Sequence, residues 1–119
     1  MGTIDSTLLS QPPSRAGDVI RASWALATGD DGAPIQYPEF ADKTVQVIGT
    51  FGGGTVLIEG SNDGTNWSTL TDPSGSSLSF SAAGLKQVLE CTQYIRPRQS
   101  GGAAVAVTVY LVARRNRAH

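Results

Sequence analysis

Residues 43–70, KTVQVIGTFGGGTVLIEGSNDGTNWSTL, decide how the rest of the chain reads. Residues 43–51 are rich in β-branched side chains, which suit a pleated, half-buried surface, and they predict a strand. Gly52, Gly53 and Gly54 then allow a reversal that side chains would obstruct. Residues 55–61 predict a second strand, with Val56 and Ile58 on one face and Leu57 and Glu59 on the other. Residues 62–66 are turn chemistry, because Asn, Asp and Gly tolerate positive φ at low cost. Residues 67–70 return as a third strand that opens on Trp67. Read locally, this is a three-stranded meander. Such a unit buries too little apolar surface to stand alone in water, so the remaining chain has to cover it.

Working outward, residues 103–113 carry the clearest strand signal: Val105, Val107, Val109 and Leu111 alternate with Ala104, Ala106, Thr108 and Tyr110. Both sets are largely apolar, which places this strand in the middle of a sheet or under a partner. Residues 18–27 read as a strand whose core face is Ile20, Ala22, Trp24 and Leu26. Residues 33–42 hold Pro34 and Pro38 and read as an extended edge segment. Residues 78–81, 85–89 and 93–99 are further short strands, the last with Tyr94, Arg96 and Arg98 opposite Ile95 and Pro97. Pro97 is taken as a mark of an edge or a strand end. About eight short strands separated by Gly-, Ser- and Asn-rich turns make an all-β protein, a single β-sandwich or jelly-roll-like domain. Its expected core is Trp24, Val47, Val56, Ile58, Trp67, Leu70, Phe80, Ile95, Val107 and Val109. The domain spans residues 18–113, behind an extended N-terminal arm (1–17) and before a basic C-terminal tail (114–119).

A chain of 119 residues suits one domain with one real core. A net charge of −1 speaks against a general nucleic-acid binder, which carries a basic excess. The charge is uneven, since residues 1–42 hold six acids and two arginines while residues 43–119 hold four acids and seven bases. That asymmetry can pair one copy's N-terminal part with another's C-terminal part. Cys91 is the only cysteine, which excludes an intramolecular disulfide. No secretory signal is expected, because the first residues have neither a basic nor an apolar region, and no run reaches a membrane span.

No catalytic constellation is legible. The sole histidine, His119, is the last residue of the sequence, so serine and cysteine lack a positioned imidazole base. One Cys and one His do not make a metal-ligand spacing. Residues 62–66 lack the alternating oxygen ligands and terminal Glu of a calcium loop. Gly52, Gly53 and Gly54 precede no helix or lysine and so form no phosphate loop. No cofactor is expected, and the protein reads as a non-enzyme. Trp24 and Trp67 fit a core, although a tryptophan also stacks on sugars.

The runs ADKTVQVIGTFGGGTVLIEGSNDGTNWSTLTD and FSAAGLKQVLECTQYIRPRQSGG, followed by the valine-rich strand, resemble small decoration (cement) proteins of tailed-bacteriophage capsids. The resemblance runs from about Trp24 to Val112. It implies a structural virion protein, made in the host bacterial cytoplasm, that sits on the outer capsid surface and bridges major capsid protein subunits. It implies no catalytic residues, and Cys91 and the Arg-rich end have no place in the pattern. The partners would be the major capsid protein and the chain itself, as a homotrimer or a homodimer, with no nucleic acid and no membrane. Leu8, Leu9, Pro12, Pro13, Arg114, Arg115 and Arg117 are the candidate capsid or subunit contacts. They lie in an arm too poor in apolar residues to fold alone and in a tail able to meet carboxylates. EGSNDGTNW also resembles the hairpin of discoidin-type sugar-binding sandwiches. The alternative is therefore a carbohydrate- or receptor-binding module of a phage tail or host-facing structure.

Overall fold

The computed structural model describes residues 2–4, 6–9, 19–38 and 40–115. The described chain is all strand and turn, with no helix. In chain order the strands are β1 (Thr3–Ile4), β2 (Thr7–Leu9), β3 (Val19–Ala27), β4 (Asp31–Gly32), β5 (Asp42–Thr50) and β6 (Thr55–Ser61). Then come β7 (Ser68–Thr69), β8 (Ser79–Phe80), β9 (Gly84–Val88), β10 (Tyr94–Ser100) and β11 (Ala106–Arg114). They form two sheets, one ordered β2-β3-β11-β5-β9 and the other β1-β4-β10-β6-β7, with β8 also paired to β6. All pairings are antiparallel except β1 with β4. The fold is a β-sandwich.

The core lies between the sheets and follows from the period of two. β3 contributes Ala22, Trp24 and Leu26, β5 Val45 and Val47, β6 Val56 and Ile58, and β11 Val107, Val109 and Leu111, all buried. The strand richest in valine is central, with β3 on one side and β5 on the other over nine residues. Of the ten core residues expected from sequence, nine are buried. The exception is Trp67, which is half-buried on the outer face. Trp67 and Leu70 are an odd number of residues apart, so one extended strand cannot bury both, and Leu70 takes the core.

Only half of the expected meander forms: β6 and β7 pair across the turn of residues 62–66, but β5 does not join them. β5 belongs to the five-stranded sheet and β6 to the other, so the three glycines carry the chain across the sandwich. β6 pairs instead with β10 over seven residues. Residues 101–105 make the reverse crossing, from β10 to β11, beside the first, with Ala103 N–H donating to the Gly52 carbonyl. Gly52 (φ 58°) and Gly102 (φ 79°) both sit where φ is positive and backbones touch. A Cβ on Gly102 would lie 2.6 Å from the Gly54 nitrogen, and one on Gly52 would meet the Ala103 carbonyl. Neither crossing admits a side chain at these positions.

Pro97 is also not at an edge or an end. It lies mid-strand in β10, opposite Ile58 of β6. On the other side of β10, Ile95 donates to the Ile35 carbonyl and Gln99 to the Asp30 carbonyl. The missing N–H of Pro97 falls between those two bonds. Gly32 lies against its ring there, where a Cβ would come within 2.5 Å of Pro97 Cδ and 2.8 Å of Trp24 Cδ1. The absent donor and the absent side chain face each other.

The N-terminal segment is not wholly an arm apart from the sandwich. Thr3–Ile4 adds to the β4 edge of one sheet and Thr7–Leu9 to the β3 edge of the other. Asp31 N–H donates to the Gly2 carbonyl at 2.7 Å and Ala33 N–H to the Ile4 carbonyl at 2.6 Å. Residues 10–17 of the expected arm and 116–119 of the expected tail lie outside the described residues.

Candidate interaction surfaces

On the outer face of the β6–β10 sheet, register brings one acid and two bases together. Arg96 is directly opposite Glu59, and Arg98 is two residues along on the same face. Arg96 Nε donates to Glu59 Oε1 and Arg98 Nε to Glu59 Oε2, each at 3.0 Å. Although it faces outward, Glu59 is only 5 % exposed, because the two guanidinium groups cover it. Beside this clamp the Arg96 guanidinium stacks over the Trp67 ring at 4.2 Å, and Trp67 meets Tyr94 edge-on with centroids 6.4 Å apart. Two bases on one acid leave a positive excess and unused N–H donors, suited to a carboxylate brought by a partner.

The turn of residues 62–66 positions Trp67. Asp63 Oδ1 accepts from the N–H groups of Asn66 and Thr65, each at 2.8 Å, while Asn66 Nδ2 donates to Oδ2 at 2.7 Å and Ser61 Oγ to Oδ1 at 2.8 Å. Those bonds, the Asn66 and Thr65 amides first, hold the Asp63 carboxyl well below the usual carboxylate range. Its lone pairs are spent on the turn. Asp72 does the same for the next loop, accepting from Ser74 and Ser76. Glu90 accepts from the Thr71 amide at 2.8 Å and from the Thr71 hydroxyl. Among the described residues, no group of three or more His, Cys, Asp or Glu side chains can hold a metal ion. Cys91 is exposed, with its Sγ 3.1 Å from the Pro38 carbonyl oxygen.

The outer face of the five-stranded sheet is different in kind. Alternation turns Ser23, Ala25, Thr108, Tyr110, Gln46 and Ile48 outward across its middle. Ile48 is 40 % exposed, Leu85 on β9 64 % and Val112 on β11 37 %. Charge is confined to one end, where Arg114 Nη2 meets Asp42 Oδ2 at 3.2 Å and Arg21 stands two residues in from the start of β3. Three shallow hollows run along this sheet, the largest of about 450 Å³ and lined by Thr44, Gln87 and Val112 among others.

No protein-family model matches the sequence, and no curated protein is significantly similar to it. Similarity appears among solved structures. A cupin superfamily protein of Desulfitobacterium hafniense superposes with a TM-score of 0.52 at 12 % identity, over 95 % of this chain and 78 % of that one. A cupin domain of Bordetella pertussis gives 0.46 at 14 % identity, over 98 % and 96 % of the two chains. The likeness is one of fold.

The residues singled out from sequence do not converge on one site. Leu8 and Leu9 lie in β2, opposite Ala22 and Arg21 of β3. Arg114 closes β11 and pairs with the chain's own Asp42. The Arg115 guanidinium lies 5.3 Å from the Phe40 ring. Both arginines are thus engaged within the chain. Pro12, Pro13 and Arg117 lie outside the described residues, as does His119. The cluster that sequence reading missed is Glu59, Arg96, Arg98 and Trp67. Alternation put Tyr94, Arg96 and Arg98 on one face, but the pairing of β6 with β10 was hidden by the expected meander.

Proposed function

We propose that this protein is a structural component of a tailed-bacteriophage head, docked on the outer surface of the shell and bridging major capsid protein subunits. The observation that carries the proposal is the presence of two dissimilar surfaces on opposite sides of one small sandwich. One is polar, aromatic and positively charged (Arg96, Arg98, Trp67); the other is flat and almost uncharged. A bridging protein has to hold two neighbours at once. Weak contacts repeated over a lattice then give avidity that a single contact lacks. The resemblance across residues 24–112 supports the same reading, and Asp63, Asp72, Glu59 and Glu90 are each committed to the chain's own bonds.

The test is co-sedimentation of the purified protein with expanded, DNA-free heads stripped of decoration. Saturable binding at a fixed ratio, weakened at least tenfold by Arg96→Ala with Arg98→Ala, is the expected result. No binding to expanded heads overturns the proposal. Trp67 and Tyr94 favour one second reading, a carbohydrate-binding module, since a half-buried indole beside guanidinium groups suits an acidic sugar. A glycan array that gives a ligand lost in Trp67→Ala, with no capsid binding, would select it.

A further inference from the structure

We infer that the outer face of the β2-β3-β11-β5-β9 sheet is the docking site of a second copy of this chain, packed face to face about a two-fold axis parallel to β11. The inference does not rest on the capsid reading, within which the second copy is the neighbour held by this face and the arginine-bearing faces meet the shell. Three observations support it. First, all four exposed large hydrophobic residues among those described lie on or next to this sheet: Ile48, Leu85 and Val112 on its outer face and Leu89 just past β9. The centre of the face carries no charge, and depletion of charge is what sets an interface core apart from free surface.

Second, the area is sufficient. Three strands of nine residues, flanked by β2 and β9, give a flat footprint of roughly 600 Å² at ~4.8 Å between strands and ~3.4 Å per residue. That already reaches the ~600–1,000 Å² per partner of a stable interface, before side-chain relief is counted.

Third, the few charges on this face do not oppose the axis, because Arg114, the one charged residue of β11, is neutralised by Asp42 of its own chain. Arg21 is on β3, on one side of β11, and Asp42 is on β5, on the other. A two-fold axis along β11 lays β3 of each copy over β5 of the other, so Arg21 comes beside the partner's Arg114–Asp42 ion pair. Such an interface is isologous: each patch meets itself, which an uncharged centre tolerates and a charged one would not. Of the trimer and the dimer implied by the capsid resemblance, the trimer would need two different patches, whereas this face matches its own copy.

The experiment is light scattering of the full chain over a wide concentration range, with two variants. Thr108→Glu puts a carboxylate on the central strand of the face, where the two copies of β11 lie against each other. Thr108→Cys in a Cys91→Ser background offers one thiol per chain, at a sheet-to-sheet distance of ~10 Å that a short bis-maleimide spans. The wild-type chain is expected at twice the chain mass. Thr108→Glu is expected to be monomeric with unchanged far-ultraviolet circular dichroism, and Thr108→Cys to cross-link in high yield. A wild-type monomer at all concentrations, a trimeric mass, or a folded Thr108→Glu dimer would each overturn the inference. Should Thr108→Glu fail to fold, the cross-link decides: no coupled product overturns it.

Discussion

Two tryptophans divide the labour of this molecule. Trp24 is 2 % exposed, and its Nε1–H donates to the Ala33 carbonyl at 3.0 Å. Trp67 stands outside, under Arg96. Trp24→Ala is therefore expected to cost about 3–5 kcal/mol, in the range for large-to-small core changes. Trp67→Ala should cost about 1 kcal/mol, close to the value of one cation–π contact. Urea titrations of the two variants decide between these positions, and equal losses would mean that Trp67 is core after all. Asp63 sets a pH dependence. Folding lowers its proton affinity, so its contribution is complete above the unfolded value of about 3.9 and is lost as pH falls through the lower folded value. The Ser74 hydroxyl holds Asp72 low as well. Burial works to raise Glu90, but its bonds to Thr71 prevail and the net shift is downward. Melting temperatures are expected to be level near neutrality, to fall once pH drops below about 4, and to continue falling in strong acid. The acid slope should be shallower in Asp63→Asn.

Strands are joined here by very few polar side-chain contacts, and the Glu59 clamp is the main one between β6 and β10. Glu59→Gln would leave Arg96 and Arg98 side by side without their shared anion. The expected loss is about 1–3 kcal/mol, less than for a fully buried pair because Arg98 is more than a third exposed. The loss should appear as a lower denaturant midpoint with an unchanged slope. Deleting residues 2–9 removes β1 and β2 and opens one edge of each sheet. The shortened chain is expected to fold, to lose about 2–4 kcal/mol at ~1 kcal/mol per backbone bond, and to aggregate more readily. An unchanged melting temperature would show that the segment is an appendage. Most strands were legible because inward and outward residues alternate, as in β3 and β11. Their partners were not. Alternation says which face is buried but nothing about which strand lies alongside, so Gly52–Gly54 read equally well as a hairpin or as a crossing between sheets. The Glu59–Arg96–Arg98 group was lost with that choice, and Pro97 was misplaced because its missing donor is accommodated by Gly32 on a distant strand.

For the whole molecule, the order of strands in space is far from their order along the chain. β11 comes after every other described strand, yet it occupies the middle of its sheet. Without it, β3 has only the three-residue β2 beside it and β5 only β9. Two-strand ribbons of that size are marginal in water. A ribosome delivers β3 and β5 long before it delivers the strand that joins them. Until then Trp24, Leu26, Val45 and Val47 lack the wall that β11 provides. Folding of this sheet is thus deferred to the end of its translation, and the distant pairings make it slow. Nascent chains arrested with β11 still inside the exit tunnel should be cut quickly by added protease, while chains extended by a flexible linker that frees β11 should resist. A cell that makes many copies at once would carry a standing pool of half-built sandwiches, which is where chaperone holding would matter most for this protein.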